Sequence, residues 1–157
     1  MYSPETELQP ASPGVPVPPP KRSTLSPWLL ALILGLVTVA LFWPATRCGF
    51  VDIDDTEYVV ENAHIHAGLN WGVVKWAFGN TELGGYWAPL MWLSHALGCQ
   101  LFDLKPWGHH LINVLLHAAS AALVFLVFYR MTGAKWRSFF LAALFAWHPL
   151  RAPRDTF

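Results

Sequence analysis

The chain has 157 residues, of which 54% are hydrophobic and only 13% are charged, against roughly a quarter charged residues in ordinary soluble domains. Its ten basic and ten acidic side chains cancel, which argues against non-specific binding to nucleic acid. The two cysteines are too few for a disulfide scaffold and show no zinc-ligand spacing. The composition therefore predicts an all-α integral membrane protein and excludes a typical small soluble enzyme.

The N-terminal residues differ in composition from the rest. Seven of the thirteen prolines fall within the first 20 residues. Such proline-rich sequence favours extended backbone without a packed core. We expect residues 1–25 to be a disordered cytoplasmic tail, followed by a membrane domain over 26–157.

Two stretches without any charged side chain, 23–46 and 106–129, are each long enough for a spanning helix of about 20 residues. They predict transmembrane helices over about 27–45 and 109–130. Trp28 and Trp43 bracket the first apolar run, as aromatic residues do at membrane interfaces. A cleaved signal peptide is the alternative for the first helix, but no small-x-small cleavage site follows it.

A third apolar run, over about 137–150, is shorter than a full span. It would give about 20 Å of helix against a hydrocarbon core of about 30 Å. We expect a short third transmembrane helix, with a re-entrant segment as the alternative. Lysines and arginines orient the chain: placing their two clusters in the cytoplasm puts the N-terminus inside and a loop over 46–108 outside. These clusters are Lys21 and Arg22, and then Arg130, Lys135 and Arg137.

The outer loop contains two predicted amphipathic helices. The first covers 68–78, with Asn70 as its N-cap and an apolar stripe of Trp71, Val74 and Phe78. The second covers 89–102, with its proline in the first turn and leucines 90, 93, 97 and 101 along one face. These faces could rest on the membrane surface or pack against other helices.

Chemistry in this loop centres on two adjacent carboxylates, Asp54 and Asp55. Because side chains alternate in an extended segment, only one of them would face a given substrate, and the other could bind a metal ion or orient an acceptor. The alternative is an ordinary solvated acidic loop. The histidines show no zinc signature, and His117, inside the second helix, is expected to pack helices together. Cys48 and Cys99 share the outer side, which permits a disulfide.

Four segments together resemble a known family. They are FVDIDDTEYVVENAHI, GLNWGVVKWAF, WAPLMWLSHALGCQLF and GHHLINVLLHAASAALVFLVFYRMTGAKWRSFFLAALFAWHPL. Over 49–150 the chain resembles the N-terminal part of a bacterial family of multi-spanning GT-C-type glycosyltransferases. That family often carries C-terminal tetratricopeptide repeats and is similar to eukaryotic transmembrane O-mannosyltransferases.

The resemblance implies a polyprenyl-phosphate sugar donor held in the lipid bilayer and transfer to a hydroxyl acceptor on the outer face of the bacterial inner membrane. It implies Asp54 as general base, Asp55 as a metal or acceptor contact, and His148 at the rim of the site. Whether a divalent metal takes part is left open.

The chain departs from the family after its His-Pro-Leu motif, where it reads RAPRDTF, and it has no repeats of period 34. We therefore expect an N-terminal fragment that is inactive alone. The alternative is a small non-enzymatic membrane subunit that packs with a separate membrane chain, encoded downstream. Neither interpretation involves nucleic acid.

Overall fold

The computed structural model describes residues 25–50, 55–80 and 87–148, and within these ranges every regular element is helical. Six α-helices follow in chain order: α1 Pro27–Phe42, α2 Ala63–His66, α3 Trp71–Gly79, α4 Pro89–Phe102, α5 Pro106–Thr132 and α6 Lys135–Trp147. A 3₁₀ turn, Trp43–Arg47, extends α1, and a π-helical turn, Thr56–Val60, precedes α2. The predicted all-helical fold is confirmed.

Two of these helices are long and apolar enough to cross a membrane. One is α1 with its 3₁₀ extension, 21 residues of mean hydropathy 2.2, and the other is α5, 27 residues of mean hydropathy 2.3. Only 28% of the most apolar window of each helix is buried within the protein. Because the core helix of a soluble domain would be mostly buried, these helices are those of a membrane protein.

The two spans run antiparallel and pack with α6 into one bundle. At one end, the Nζ of Lys135 donates to the carbonyl of Leu25, which brings the start of α1 next to the α5–α6 turn. We call this the turn end of the bundle, and the opposite end, where α5 begins, the loop end. The shared core is rich in alanine, which lets helices approach closely. It consists of Leu30, Ala31, Leu34, Ala121, Phe125, Ala142, Ala143 and Ala146.

Polar groups inside this bundle bond to one another. The Nε1 of Trp147 donates to the Thr38 hydroxyl at 3.2 Å, and that hydroxyl donates to a carbonyl one turn earlier in α1. His117 donates from Nε2 to the Ala146 carbonyl at 2.9 Å and meets the ring of Phe42 edge-on. His117 thus joins α5 to α6, as expected of a polar side chain that packs membrane helices.

The third helix forms but is short. After the left-handed C-cap at Gly133, α6 runs from Lys135 to Trp147, 13 residues, and does not reach the length of a span. The predicted residues 149–150 lie outside the described ranges. Among the described residues the structure therefore has two candidate spans and a shorter third helix packed on them.

Both predicted loop helices are present, but their protein-facing sides differ from the predicted apolar stripes. Asn70 caps α3 by accepting from the Val73 amide at 3.0 Å. The faces buried in the protein carry Val73 and Ala77 in α3, and Trp92, Ala96 and Cys99 in α4. The ends of the predicted stripes point outward instead: Trp71, Phe78, Leu90 and Leu101 are all at least half exposed. Each helix therefore has two apolar sides, one packed on the protein and one available to lipid.

The helices at the loop end are held by close backbone approaches. A β-carbon on Gly108 would lie 2.2 Å from the ring of Phe102, so only glycine lets the end of α4 meet the start of α5. Asp103, between them, has φ 57° and ψ −149°, a strained backbone conformation that residues with a side chain rarely adopt. Cys48 and Cys99 are both free thiols, so the disulfide that the sequence permits is not formed.

Candidate functional site

Of the two predicted carboxylates, only Asp55 can be placed, because Asp54 lies outside the described residues. Asp55 is the residue before the π-helical turn and has a helical backbone. Its side chain is partly buried and close enough to His95 of α4 to affect that residue's titration. Asp55 therefore belongs to a cluster at the loop end and is not a freely solvated loop residue.

The centre of this cluster is a pair of histidines from different helices. The rings of His95 and His109 stack with centroids 6.1 Å apart and planes 30° apart. His109 lies in the first turns of α5, is only 4% exposed, and donates from Nε2 to the Asp103 carbonyl at 3.0 Å. Because a carbonyl can only accept, this bond places the proton on Nε2.

The histidine pair requires a glycine beneath it. A β-carbon on Gly98 would lie 2.7 Å from Cε1 and Nδ1 of His109. The His109 ring therefore rests directly on the backbone of α4, one turn away from His95. The absence of a side chain at Gly98 and the hydrogen bond from His109 to the Asp103 carbonyl together fix the distance between α4 and α5.

The electrostatics of the pair favour the neutral form of His95. Burial lowers the pKa of His95, the neighbouring His109 lowers it further, and the carboxylate of Asp55 partly opposes them. A neutral imidazole close to a carboxylate can accept or pass on a proton. The cluster thus has the groups that general acid–base chemistry uses, at the end of a membrane helix.

Residues 51–54, which we call the acidic segment, are flanked on both sides by residues that lie near the same histidines. Before the segment, the ring of Phe50 meets His109 edge-on at 5.6 Å, and His110 donates from Nε2 to the Gly49 carbonyl at 3.3 Å. After the segment, Asp55 lies near His95. The residues on the two sides of 51–54 therefore lie beside the start of α5 and near His95 of α4.

His148, the predicted rim residue, follows the end of α6. It lines a cavity of about 230 Å³ with Phe140, Ala143, Leu144 and Trp147. The end of α6 is tied to His117, which is eight residues, or about 12 Å, further along α5 than His109. The cavity at His148 therefore lies deeper in the bundle than the histidine pair, and a role for His148 in sugar transfer stays a prediction.

A metal role for Asp55 also stays a prediction. Within the described ranges, no group of three or more histidine, cysteine, aspartate or glutamate side chains is arranged to hold a metal ion. His95 and His109 offer two nitrogens, but the Nε2 of His109 is already used in its bond to Asp103.

Sequence analysis missed His95. The leucine stripe drew attention to the outward side of α4, whereas Trp92, His95 and Cys99 share the opposite side at spacings of three and four residues. A histidine among residues at core spacing, on a helix near adjacent carboxylates, is the signal that could have found it.

Comparison with known proteins gives a consistent result. The chain is 34% identical over 128 residues to protein O-mannosyl-transferase Tmtc2 of Drosophila melanogaster, which covers 77% of this chain and 13% of that protein. It is 31% identical over 136 residues to protein O-mannosyl-transferase TMTC3 of Homo sapiens, or 81% of this chain and 14% of that protein. It is 32% identical over 139 residues to protein O-mannosyl-transferase Tmtc1 of Drosophila melanogaster, or 83% of this chain and 16% of that protein.

These homologues are named protein O-mannosyl-transferases. The chain spans only 13–16% of the length of these relatives. No protein-family model matches the chain, and no solved structure is significantly similar to it.

Proposed function

We propose that this chain forms the first membrane helices and the first outer loop of a glycosyltransferase that moves a sugar from a polyprenyl-phosphate donor to a hydroxyl acceptor. The observation that carries the proposal is the similarity, over about four-fifths of the chain, to proteins named O-mannosyl-transferases. The cluster of Asp55, His95 and His109 at the loop end supports it. A lipid-anchored donor has to be bound at the membrane surface, and the loop end is an end of the membrane helices.

In the proposed reaction, the chain's own residues act on the acceptor. Asp54 accepts the proton of the acceptor hydroxyl as general base, while the oxygen attacks the sugar carbon and the phosphate departs with the bonding electrons. Asp55, near His95, orients the acceptor. Because phosphate is a stable leaving group, one carboxylate base can suffice. His148 would join the rim of the same site.

We propose that the loop end faces the extracytoplasmic side of a bacterial inner membrane, with the N-terminus in the cytoplasm. The turn end would then carry Arg130, Lys135 and Arg137 on the cytoplasmic side. We also propose that these 157 residues do not transfer sugar alone, because the described residues hold only two candidate spans and a donor site needs walls on several sides.

A segment exchange tests the proposal. The aligned 128 residues of Drosophila Tmtc2 are replaced by those of this chain, and membranes are assayed for mannose transfer from polyprenyl-phosphate mannose to a threonine peptide. The exchanged protein is expected to transfer mannose, and the 157-residue chain alone is not. Asp54→Asn should lower the rate by roughly 10²–10⁴-fold, the usual contribution of a general base, and Asp55→Asn by less.

The matched control is Asp103→Asn, which also removes one loop carboxylate but keeps the carbonyl that holds His109. It should retain transfer. An exchanged protein that is inserted in the membrane but inactive would count against the glycosyltransferase function. Transfer unaffected by either Asp54→Asn or Asp55→Asn would favour the alternative, a membrane subunit that packs with another chain.

A further inference from the structure

A groove of about 570 Å³ opens beside the acidic segment, between the π-helical turn, α2 and α3. It begins two residues after Asp55 and is separate from the histidine pair. We call it the acidic groove. Its lining combines two carboxylates, two amides and two aromatic rings, from Glu57, Glu61, Asn62, Asn80, His64 and Trp76.

The groove carries negative charge that the described part of the chain does not neutralise. Glu57 and Glu61 are one helical turn apart, both exposed, and neither makes an ion pair with a described residue. The basic residue of α3, Lys75, turns away and places its Nζ 5.8 Å from the ring centroid of Trp71. Two carboxylates thus line one opening without a cation from the described ranges.

The opposite wall of the groove is aromatic and preformed. The rings of His64 and Trp76 stack with centroids 4.6 Å apart and planes 15° apart. Behind them, Trp76 packs against the fully buried Trp92 at 5.5 Å. The amide of His64 donates to the Asn62 side chain at 3.2 Å, which fixes α2 at this position. The wall therefore needs little rearrangement to receive a flat group.

We propose that the acidic groove binds a basic side chain, preferably arginine, of the polypeptide that accepts the sugar. A guanidinium is planar, forks onto carboxylates and stacks on ring planes, and its aliphatic stem packs on apolar surface. The two glutamates and the His64–Trp76 stack supply these partners. A neutral ligand would leave both carboxylates without a counter-charge.

Naming the acceptor as the source of this side chain rests on the proposed function. An extended polypeptide advances about 3.3–3.6 Å per residue. The groove begins at Glu57, close in the chain to Asp54 and Asp55. An acceptor peptide with its hydroxyl at these aspartates would therefore place in the groove an arginine that is a few residues away along the peptide. The groove would select acceptors by the charge near their hydroxyl and would take no part in the chemical step.

The test measures binding and requires no sugar transfer. The 157-residue chain, in lipid nanodiscs and labelled with ¹³C at histidine Cε1, is titrated with two acetylated hexapeptides. Each has a threonine, and they differ only in whether arginine or glutamine stands three residues away. The His64 signal is identified by its loss in His64→Gln. The arginine peptide should shift it and bind roughly tenfold more tightly at low ionic strength, with the preference reduced by salt.

Charge variants test whether the two glutamates cause the preference for the arginine peptide. Glu57→Gln combined with Glu61→Gln should abolish it, whereas Asp103→Asn, a loss of one carboxylate outside the groove, should keep it. Unchanged signals from the other histidines establish that each variant is folded. Equal binding of the two peptides, absence of binding, or a preference that survives in the double variant would overturn the proposal. If the exchanged protein transfers no mannose but the 157-residue chain still prefers the arginine peptide, only the proposed sugar transfer is refuted.

Discussion

Replacing Gly98 with alanine tests how the histidine pair is built. The added methyl group would lie 2.7 Å from two ring atoms of His109, a side chain that is 4% exposed and has no room to withdraw. Overpacking of this kind costs about 1–3 kcal/mol. Displacing the ring also breaks its bond to the Asp103 carbonyl and leaves a buried donor unpaired, another 1–3 kcal/mol or so.

Alanine regains about 1 kcal/mol over glycine inside a helix, so the net loss in free energy of unfolding should be about 1–5 kcal/mol. For a chain of this size, that corresponds to a fall in Tm of roughly 2–20 °C. The assay is thermal unfolding in detergent, followed by the fluorescence of the nine tryptophans.

Gly79→Ala is the matched control, because a β-carbon at the last residue of α3 would meet nothing within 4 Å. It should leave Tm unchanged or slightly raised. A double variant, Gly98→Ala with His109→Ala, should lose less stability than the two single losses added, since the methyl group then has space. If Gly98→Ala unfolds at the same temperature as Gly79→Ala, the close contact between α4 and α5 is wrong.

Four further predictions concern groups at the loop end and in the bundle. Burial and then His109 lower the pKa of His95, so on acidification through about pH 6.5 the unfolded chain binds a proton more readily than the folded chain does. The free energy of unfolding should therefore fall as the pH falls through this range. Thermal unfolding measured against pH should show a weaker fall for His95→Gln. Asp55→Asn should lower the His95 pKa further in a histidine NMR titration, and an upward shift would contradict the assigned proximity. Burial raises the pKa of Cys99, so N-ethylmaleimide should modify Cys48 well before it, which mass spectrometry of timed digests can check against equal rates. His117→Ala should cost about 1–2 kcal/mol through the lost bond to α6, seen as a lower Tm, and no change would mean that this bond adds no stability.

The sequence predicted the helices well because their signals are local. Uncharged length identified α1 and α5, and the N-cap at Asn70 and the early proline of α4 marked the loop helices. Even the short third helix was expected, at 137–150 against the observed Lys135–Trp147.

The arrangement of the site could not be predicted in the same way. The contact between His95 and His109 depends on how α4 crosses α5, which neither helix encodes alone. The stripes of large apolar residues on α3 and α4 indicated which sides are apolar but not which side meets protein. In a membrane protein both lipid and protein contacts are apolar, so hydrophobic periodicity does not distinguish them. Small residues such as Ala77, Ala96 and Gly98 mark the protein side here.

The bond between His110 and the Gly49 carbonyl, 61 residues apart in the chain, has a consequence for biogenesis. During synthesis, α1 and the whole loop emerge before α5, so the Gly49 carbonyl cannot receive its bond from His110 until the second span arrives. The loop helices can already pack on one another, because Val73, Ala96 and Cys99 share a cluster with Val59 and Ile65 of the same loop. We expect the chain at Gly49 to become resistant to protease only after α5 is inserted, so that completion of the second span, and not exit of the loop, fixes the point where the chain leaves the first span.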